Sequence, residues 1–360
     1  MKHYLPEPSS VTPSRIGVLL INMGTPDAPT TPAVRRYLAE FLSDPRVIET
    51  PRWLWKPILH GVILRTRPAK SAEKYRQIWT REGSPLLVHT QTQRDMLQGY
   101  LGEALKKEGL PADSVVVEMG MRYGRPSVAR AIETLRQQGC ASLLVLPLYP
   151  QYAASTTGSS FDAVAACLQR RRFVPALKMI GSYADHPAYI DALKERIRKY
   201  WQREGFTERL VMSFHGAPEQ TRKDGDPYYD ECCRTAQILA AQLGLKKESW
   251  TISFQSRFGR SQWLQPYTFD VLAALGKKKL RRVDVVCPGF VSDCLETIEE
   301  IGIGGKEVFQ KNGGGEFCLI PCLNDFPPWI SAMVEILMPE LRGTLKPQGA
   351  PMLAEGGRIF

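Results

Sequence analysis

Ile16-Gly-Val-Leu-Leu-Ile-Asn-Met23, closing on Gly24-Thr-Pro26, decides the fold class. An unbroken apolar run of strand length that stops at a small-residue turn marks a strand buried on both faces. Runs of the same kind recur at residues 115–119, 143–149, 210–214, 250–254 and 283–287, and helical periodicity follows them. Residues 127–138 place Val128, Ile132 and Leu135 on one face and stop at Gly139; residues 185–202 and 227–243 read as two further helices. Strands alternating with helices predict an α/β protein with doubly wound, mainly parallel, Rossmann-like sheets.

The halves repeat each other. Asn22-Met-Gly-Thr-Pro26 is echoed by Phe214-His-Gly-Ala-Pro218, Met121-Arg-Tyr-Gly-Arg125 by Ser256-Arg-Phe-Gly-Arg260, and Val145-Leu-Pro-Leu-Tyr149 by Val286-Cys-Pro-Gly-Phe290. Three pairs in one order predict two similar lobes, residues 16–175 and 176–335. A flexible tail, 1–15, is expected before them and a C-terminal extension, 336–360, after them. Ligands of open α/β sheets bind beyond the carboxyl ends of the strands, so the site is expected in a cleft between the lobes.

The 360 residues suffice for two cores, and 43 % hydrophobic with 23 % charged residues excludes a disordered or low-complexity chain. A net charge of +10 favours an acidic partner: a polyanion, a membrane surface or an acidic small molecule. Basic clusters at Arg170-Arg-Arg172 and 277–282 lack interleaved aromatics, which argues against nucleic acid. Eight cysteines without a C-x-x-C pair predict reduced thiols and no structural zinc site. With no signal peptide and no run of about 18 apolar residues, a cytoplasmic location is expected.

Two positions can carry chemistry. His215 stands one residue beyond an apolar strand, where it is either a cleft residue or a structural one. Glu296, Glu299 and Glu300 fall at i, i+3 and i+4, one face of a helix, and their mutual repulsion calls for a compensating cation. The helix N-terminal dipole can compensate as well as a cation, and the three form either a solvated acidic face or a carboxylate track for a divalent cation. One His and one Glu are too few to hold a metal permanently, which suits a metal that is passed on. In residues 50–67, Trp55, Ile58, Leu59, Val62 and Ile63 make an apolar helical stripe flanked by Arg52, Lys56, Arg65 and Arg67. This stripe is core, a membrane-facing surface, or the mouth of an apolar pocket.

Taken together, the motifs resemble the ferrochelatases, which insert Fe²⁺ into protoporphyrin to give protohaem. The resemblance rests on Leu20-Ile-Asn-Met-Gly-Thr-Pro26, Tyr75-Arg-Gln-Ile78 with Gly83-Ser-Pro85, and Tyr149-Pro-Gln-Tyr152 with Ser155-Thr-Thr-Gly-Ser-Ser160. It continues through Ser213-Phe-His-Gly216, Gly225-Asp-Pro-Tyr228, Gln262-Trp-Leu264 and Ser292-Asp-Cys-Leu-Glu-Thr297. It implies a chelatase fold and a central pair, His215 and Glu296, with Glu300 assisting in metal delivery. It further implies that Met23 lies against the macrocycle, that Tyr149, Trp263 and Phe290 line the cleft, and that Arg65, Tyr75 and Ser84 sit near the propionates. Residues 50–67 become the lip through which porphyrin enters from the inner face of a membrane.

A planar porphyrin hides its nitrogen lone pairs, so the cleft must bend the ring; an imidazole then accepts the pyrrole protons near neutral pH, and carboxylates replace the water of Fe²⁺. Two departures from the family stand out. Ala153-Ala154 follows the Tyr-Pro-Gln-Tyr motif and no Cys follows Cys322, so no [2Fe–2S] cluster is expected and Fe²⁺ enters only as substrate. Cys294 stands where relatives often carry His. The competing expectations are a coproporphyrin ferrochelatase, a cobalt chelatase, and a non-catalytic porphyrin or haem carrier; a carrier needs neither base nor cation track.

Overall fold

The structure, a computed structural model, describes residues 15–259 and 261–345. The tail expected at 1–15, all but Arg15, the end of the expected C-terminal extension and Arg260 lie outside the described residues.

Two four-stranded parallel sheets share one topology. β1 (Arg15–Thr25), β2 (Val115–Gly124), β3 (Cys140–Pro147) and β4 (Ala176–Met179) assemble in the order β2-β1-β3-β4. β5 (Arg209–His215), β6 (Trp250–Gln255), β7 (Arg282–Val286) and β8 (Glu316–Leu319) repeat it as β6-β5-β7-β8. Between β1 and β2 lie α1 (Thr31–Phe41), α2 (Arg52–Ile58), α3 (Leu64–Ile78) and α4 (Pro85–Lys107); α5 (Val128–Gln137), α6 (Ser159–Leu168) and α7 (Pro187–Glu204) complete the first half. The second half adds α8 (Glu219–Lys223), α9 (Tyr228–Leu243), α10 (Thr268–Lys277), α11 (Lys306–Lys311) and α12 (Pro327–Arg342).

The reason for the continuous apolar strands is visible in the packing. Along β1, Val18 and Leu20 enter a central core while Leu19 and Ile21 enter an outer layer under α5 and α6; all four are fully buried. β5 does the same, with Leu210, Met212 and Phe214 inward and Val211 outward under α10. The central core is common to both sheets and is filled by α4, α7, α9 and α12. The expected cleft is therefore not a gap along the whole lobe boundary; the pocket that holds His215 lies at the carboxyl ends of the strands.

Strand registers sharpen the repeat. Asn22 lies opposite Met121 and Phe214 opposite Phe254, so Met121 corresponds to Phe254 and not to Ser256. Consistently, the Met121 amide donates to the Pro126 carbonyl and the Phe254 amide to the Pro266 carbonyl. Leu146, opposite Leu20, corresponds to Val286, opposite Met212, one residue from the pairing expected. The pairing of Met23 with His215 stands.

The expected lobe boundary at 175/176 falls too early. β4 pairs with β3, so the first sheet extends to Met179. β4 and β8 escape a hydrophobicity reading because each is a four-residue edge strand with a half-exposed side. The extension expected from residue 336 also begins inside a core helix: Ile336, Leu337, Met338 and Leu341 of α12 are buried.

Candidate active site

β5 delivers His215 at its carboxyl end, directly after five buried residues. His215 Nδ1 lies 2.6 Å from the Gly216 carbonyl. A carbonyl only accepts, so Nδ1 carries the proton and donates, which leaves the lone pair of the neutral ring on Nε2. The Tyr228 hydroxyl donates to the His215 carbonyl at 2.9 Å and fixes the strand end. Phe290 faces the imidazole with ring centroids 6.3 Å apart. Trp263 packs on Gly216 so closely that a Cβ there would lie 3.1 Å from its ring and 2.5 Å from the Gln255 carbonyl. Only glycine fits between them.

The acidic segment differs from the α-helix expected. Glu296–Gly305 winds as a π-helix, a form rare in proteins and concentrated at functional sites. At Gly302 a Cβ would meet Leu319 at 3.1 Å, so the glycine lets this helix lie against β8. Glu296, Glu299 and Glu300 line one pocket with His215, Ser256 and Lys74. The three carboxylates nevertheless have different surroundings.

Gln255 and Ser256, at the end of β6, fasten this helix. Gln255 Nε2 donates to the Glu296 carbonyl at 2.7 Å, and its Oε1 accepts from the Ser213 hydroxyl at 2.7 Å. Ser256 adopts the left-handed conformation, φ 64°, unusual for a residue with a side chain. Its amide donates to one oxygen of Glu300 at 2.7 Å and its hydroxyl to the other at 2.6 Å. Burial nonetheless pushes the Glu300 carboxyl above its ordinary range, with Glu296 adding to the effect; the Ser256 bonds and His215 oppose it. Glu299 instead pairs with Lys74 Nζ at 2.9 Å. Among the described residues neither Glu296 nor Glu300 pairs with Lys or Arg. Burial and the nearby Glu296 both raise the Cys294 thiol, which is therefore protonated beside that carboxylate.

The residues expected from the first lobe, Met23, Tyr75, Ser84 and Tyr149, are not among those lining the carboxylate pocket. Met23 is half-buried at the end of β1, the position His215 holds in β5. Tyr75 is buried on α3, and after burial the Glu296 charge is the next cause raising its phenol. The Thr25 hydroxyl donates to Ser84 Oγ at 2.8 Å. Tyr149 is half-buried with its hydroxyl bonded to Ser160. Arg65 is exposed and is not among the residues lining the carboxylate pocket; Arg67 instead reaches the second lobe, stacked 3.8 Å from the centre of the Phe258 ring.

Sequence reasoning missed Tyr37, Lys74, Gln255 and Ser256. Tyr37 is buried beside Tyr75, Glu296 and Tyr149, which together raise its phenol after burial itself. Lys74 and Ser256 adjoin or open quoted motifs, so a signal was present; their partners only appear once the lobes are assembled. Cys287, Cys294 and Cys322 are buried, with Cys318 apart on β8 beside Tyr200. Among the described residues no three His, Cys, Asp or Glu side chains converge to hold a metal.

The family model described as Ferrochelatase matches residues 15–341. The chain belongs to the ferrochelatase family. It is similar to the ferrochelatases of Methylobacillus flagellatus, 53 % identical over 345 residues (95 % of this chain, 98 % of the relative), and Methylibium petroleiphilum, 54 % identical over 345 residues (95 % and 93 %). A solved structure of SirB from Bacillus subtilis with Fe³⁺ superimposes with a TM-score of 0.51 at 13 % identity, covering 93 % of this chain and all of SirB. That likeness establishes the two-lobe chelatase fold. The ferrochelatase motifs quoted above thus sit on a shared scaffold, and the enzyme is a metal chelatase. No helix among the described residues is long and apolar enough to cross a membrane.

Proposed function

We propose that this ferrochelatase inserts Fe²⁺ into protoporphyrin IX to give protohaem, with His215 and Glu296 as the central pair. The observation that carries the proposal is the pocket itself: an imidazole with its Nε2 lone pair available beside two carboxylates that no described lysine or arginine neutralises. A porphyrin bound at the strand ends has Met23 on the first-lobe side and His215 on the second. Trp263 and Phe290 wall the cleft. Tyr149 lines the cleft with them, and Tyr75, Ser84 and Arg65 serve the propionate side.

His215 Nε2 accepts the pyrrole protons as the ring is held bent, and Glu296, helped by Glu300, supplies Fe²⁺ with oxygen ligands in place of water. Fe²⁺ is substrate; no resident cluster is required. Met23 and the apolar aromatic walls favour protoporphyrin over the more acidic coproporphyrin. The lip, residues 50–67, rests on a membrane surface when the poorly soluble porphyrin is taken up.

The test is anaerobic mixing of the protein with Fe²⁺ and either protoporphyrin or coproporphyrin, followed by porphyrin absorbance. Faster metallation of protoporphyrin is expected. Preference for coproporphyrin would reverse the substrate assignment, and porphyrin binding without metallation would make the chain a carrier.

A further inference from the structure

Among the described residues the one lysine or arginine lining the carboxylate pocket is Lys74. It comes from α3, in the first lobe, and crosses to Glu299 on the π-helix of the second. Its side chain is half-exposed, 51 %, whereas that of Glu299 is 14 % exposed, so the ammonium lies on the solvent side of the carboxylates. A half-exposed pair of this kind contributes little to stability. Nor is it needed to hold α3 in place: Ala72, Tyr75 and Ile78 are buried in a cluster packed against Leu295 and Ile298, and Arg67 is stacked on Phe258.

The pair has another consequence. Glu296, Glu299 and Glu300, lining one pocket from one helix, repel each other, and Lys74 is the compensating cation for one of them. It holds, with a protein charge, part of the field that would draw in a metal. We propose that Lys74 is a positioning residue that competes with the incoming divalent cation, releasing Glu299 as the metal passes to Glu296 and Glu300. This proposal rests on the assignment of those carboxylates to metal delivery. A lysine suits the task because its ammonium is a point charge on a flexible stem and is easily displaced.

The probe is Zn²⁺, titrated into the porphyrin-free protein at low ionic strength. Lys74→Met is expected to tighten Zn²⁺ binding about five- to twenty-fold, as loss of one nearby positive charge requires, and the gain should shrink in about 1 M salt. Lys74→Arg keeps the charge but grips Glu299 through two bonds, so it should not tighten Zn²⁺ binding. In steady state the KM for metal should fall in Lys74→Met while the KM for porphyrin stays within about two-fold.

Unchanged or weaker Zn²⁺ binding in Lys74→Met, or a change confined to the porphyrin KM, overturns the proposal. Glu296→Gln separates the two levels. If it leaves Zn²⁺ affinity intact, the carboxylate route itself fails. If it weakens Zn²⁺ while Lys74→Met does nothing, only the competition fails.

Discussion

The two lobes carry different chemistry on the same strand order. At matching places near their carboxyl ends β1 carries Met23 and β5 His215. Tyr123 lies opposite Gly24, and Gln255, opposite His215, is followed by Ser256, so Tyr123 and Ser256 are counterparts. Each bonds a carboxylate. In the first lobe Asp44 accepts from Tyr123, Ser159 and the Arg122 guanidinium. Burial alone would raise the Asp44 carboxyl, but those bonds and the Arg46 amide hold it below its ordinary value. In the second lobe Ser256 holds Glu300, which among the described residues pairs with no arginine, and burial wins: the carboxyl is raised. The first carboxylate is complete as it stands. The second is left short of a cation, which is what a site for a transient metal requires.

The largest test of this contrast exchanges nothing but the two strand-end side chains for alanine. His215→Ala is expected to lower the metallation rate at least about 10²-fold, the loss of a general base. Met23→Ala, at the same place in the other lobe, should cost less than about tenfold and act mainly on the porphyrin KM. Equal losses in kcat would abolish the functional asymmetry of the lobes, and near-wild-type turnover in His215→Ala would remove its assigned role.

The carboxylates should differ in stability as well as in activity. Asp44→Asn leaves the largely buried Arg122 without its charge partner and should destabilise by about 2–4 kcal/mol in urea unfolding. Glu300→Gln should instead stabilise, by about 0.5–2 kcal/mol, while slowing metallation, as is usual when an active-site residue is relieved. The signs with pH follow. A carboxyl held below 3.8 stabilises above that value, and the benefit disappears as pH falls through the lower folded value; the Asp44→Asn deficit should therefore shrink in acid. A carboxyl raised above 4.5 carries a penalty absent below 4.5 and complete above its folded value. The Glu300→Gln gain should then appear only toward neutral pH. Destabilisation by both substitutions at neutral pH would show that Glu300 is a structural group like Asp44.

What the sequence disclosed follows from the same division. The central strands were legible because they are buried on both faces, and their repeated Gly/Pro turns exposed the two-lobe plan. His215, Glu296 and Glu300 were legible because strand ends and helix starts place them in the chain order. The exact correspondence of the repeats was not: Met121-Arg-Tyr-Gly-Arg125 matches Ser256-Arg-Phe-Gly-Arg260 in letters, yet the registers align Met121 with Phe254. Short motifs slide along a strand at no cost in similarity, whereas hydrogen-bond register is fixed. The π-winding of Glu296–Gly305 was also hidden, since an i, i+3, i+4 pattern reads as an ordinary helix. Lys74, Gln255 and Ser256 act through partners far away in sequence, so the motifs that Lys74 adjoins and Ser256 opens do not say what these side chains bind.

The smallest effect concerns the difference in what the lobes insert after their first strand. Between β5 and α9 the second lobe has only α8, whereas the first lobe adds α1, α2 and α3 before α4. Within this insertion, residues 50–67 are not the uniform stripe that their periodicity suggests. Leu59 is fully buried and the Trp55 indole donates to the Leu42 carbonyl at 2.6 Å, so these hold the lip to the lobe. Trp53 is 75 % exposed and Val62 54 %, with Leu54 and Ile58 exposed beside them. Pro57 within α2 and the π-turn Leu59–Ile63 redirect the chain, which is why one apolar stripe becomes two faces. Trp53→Ser with Val62→Ser should weaken binding to anionic liposomes about three- to ten-fold and leave urea stability unchanged, whereas Leu59→Ala should cost about 2–5 kcal/mol. Unaltered liposome binding in the exposed pair would make the insertion a cover for the pocket and nothing more. Lost stability there would return all of it to the core, and the lobes would then differ in size and not in what they face.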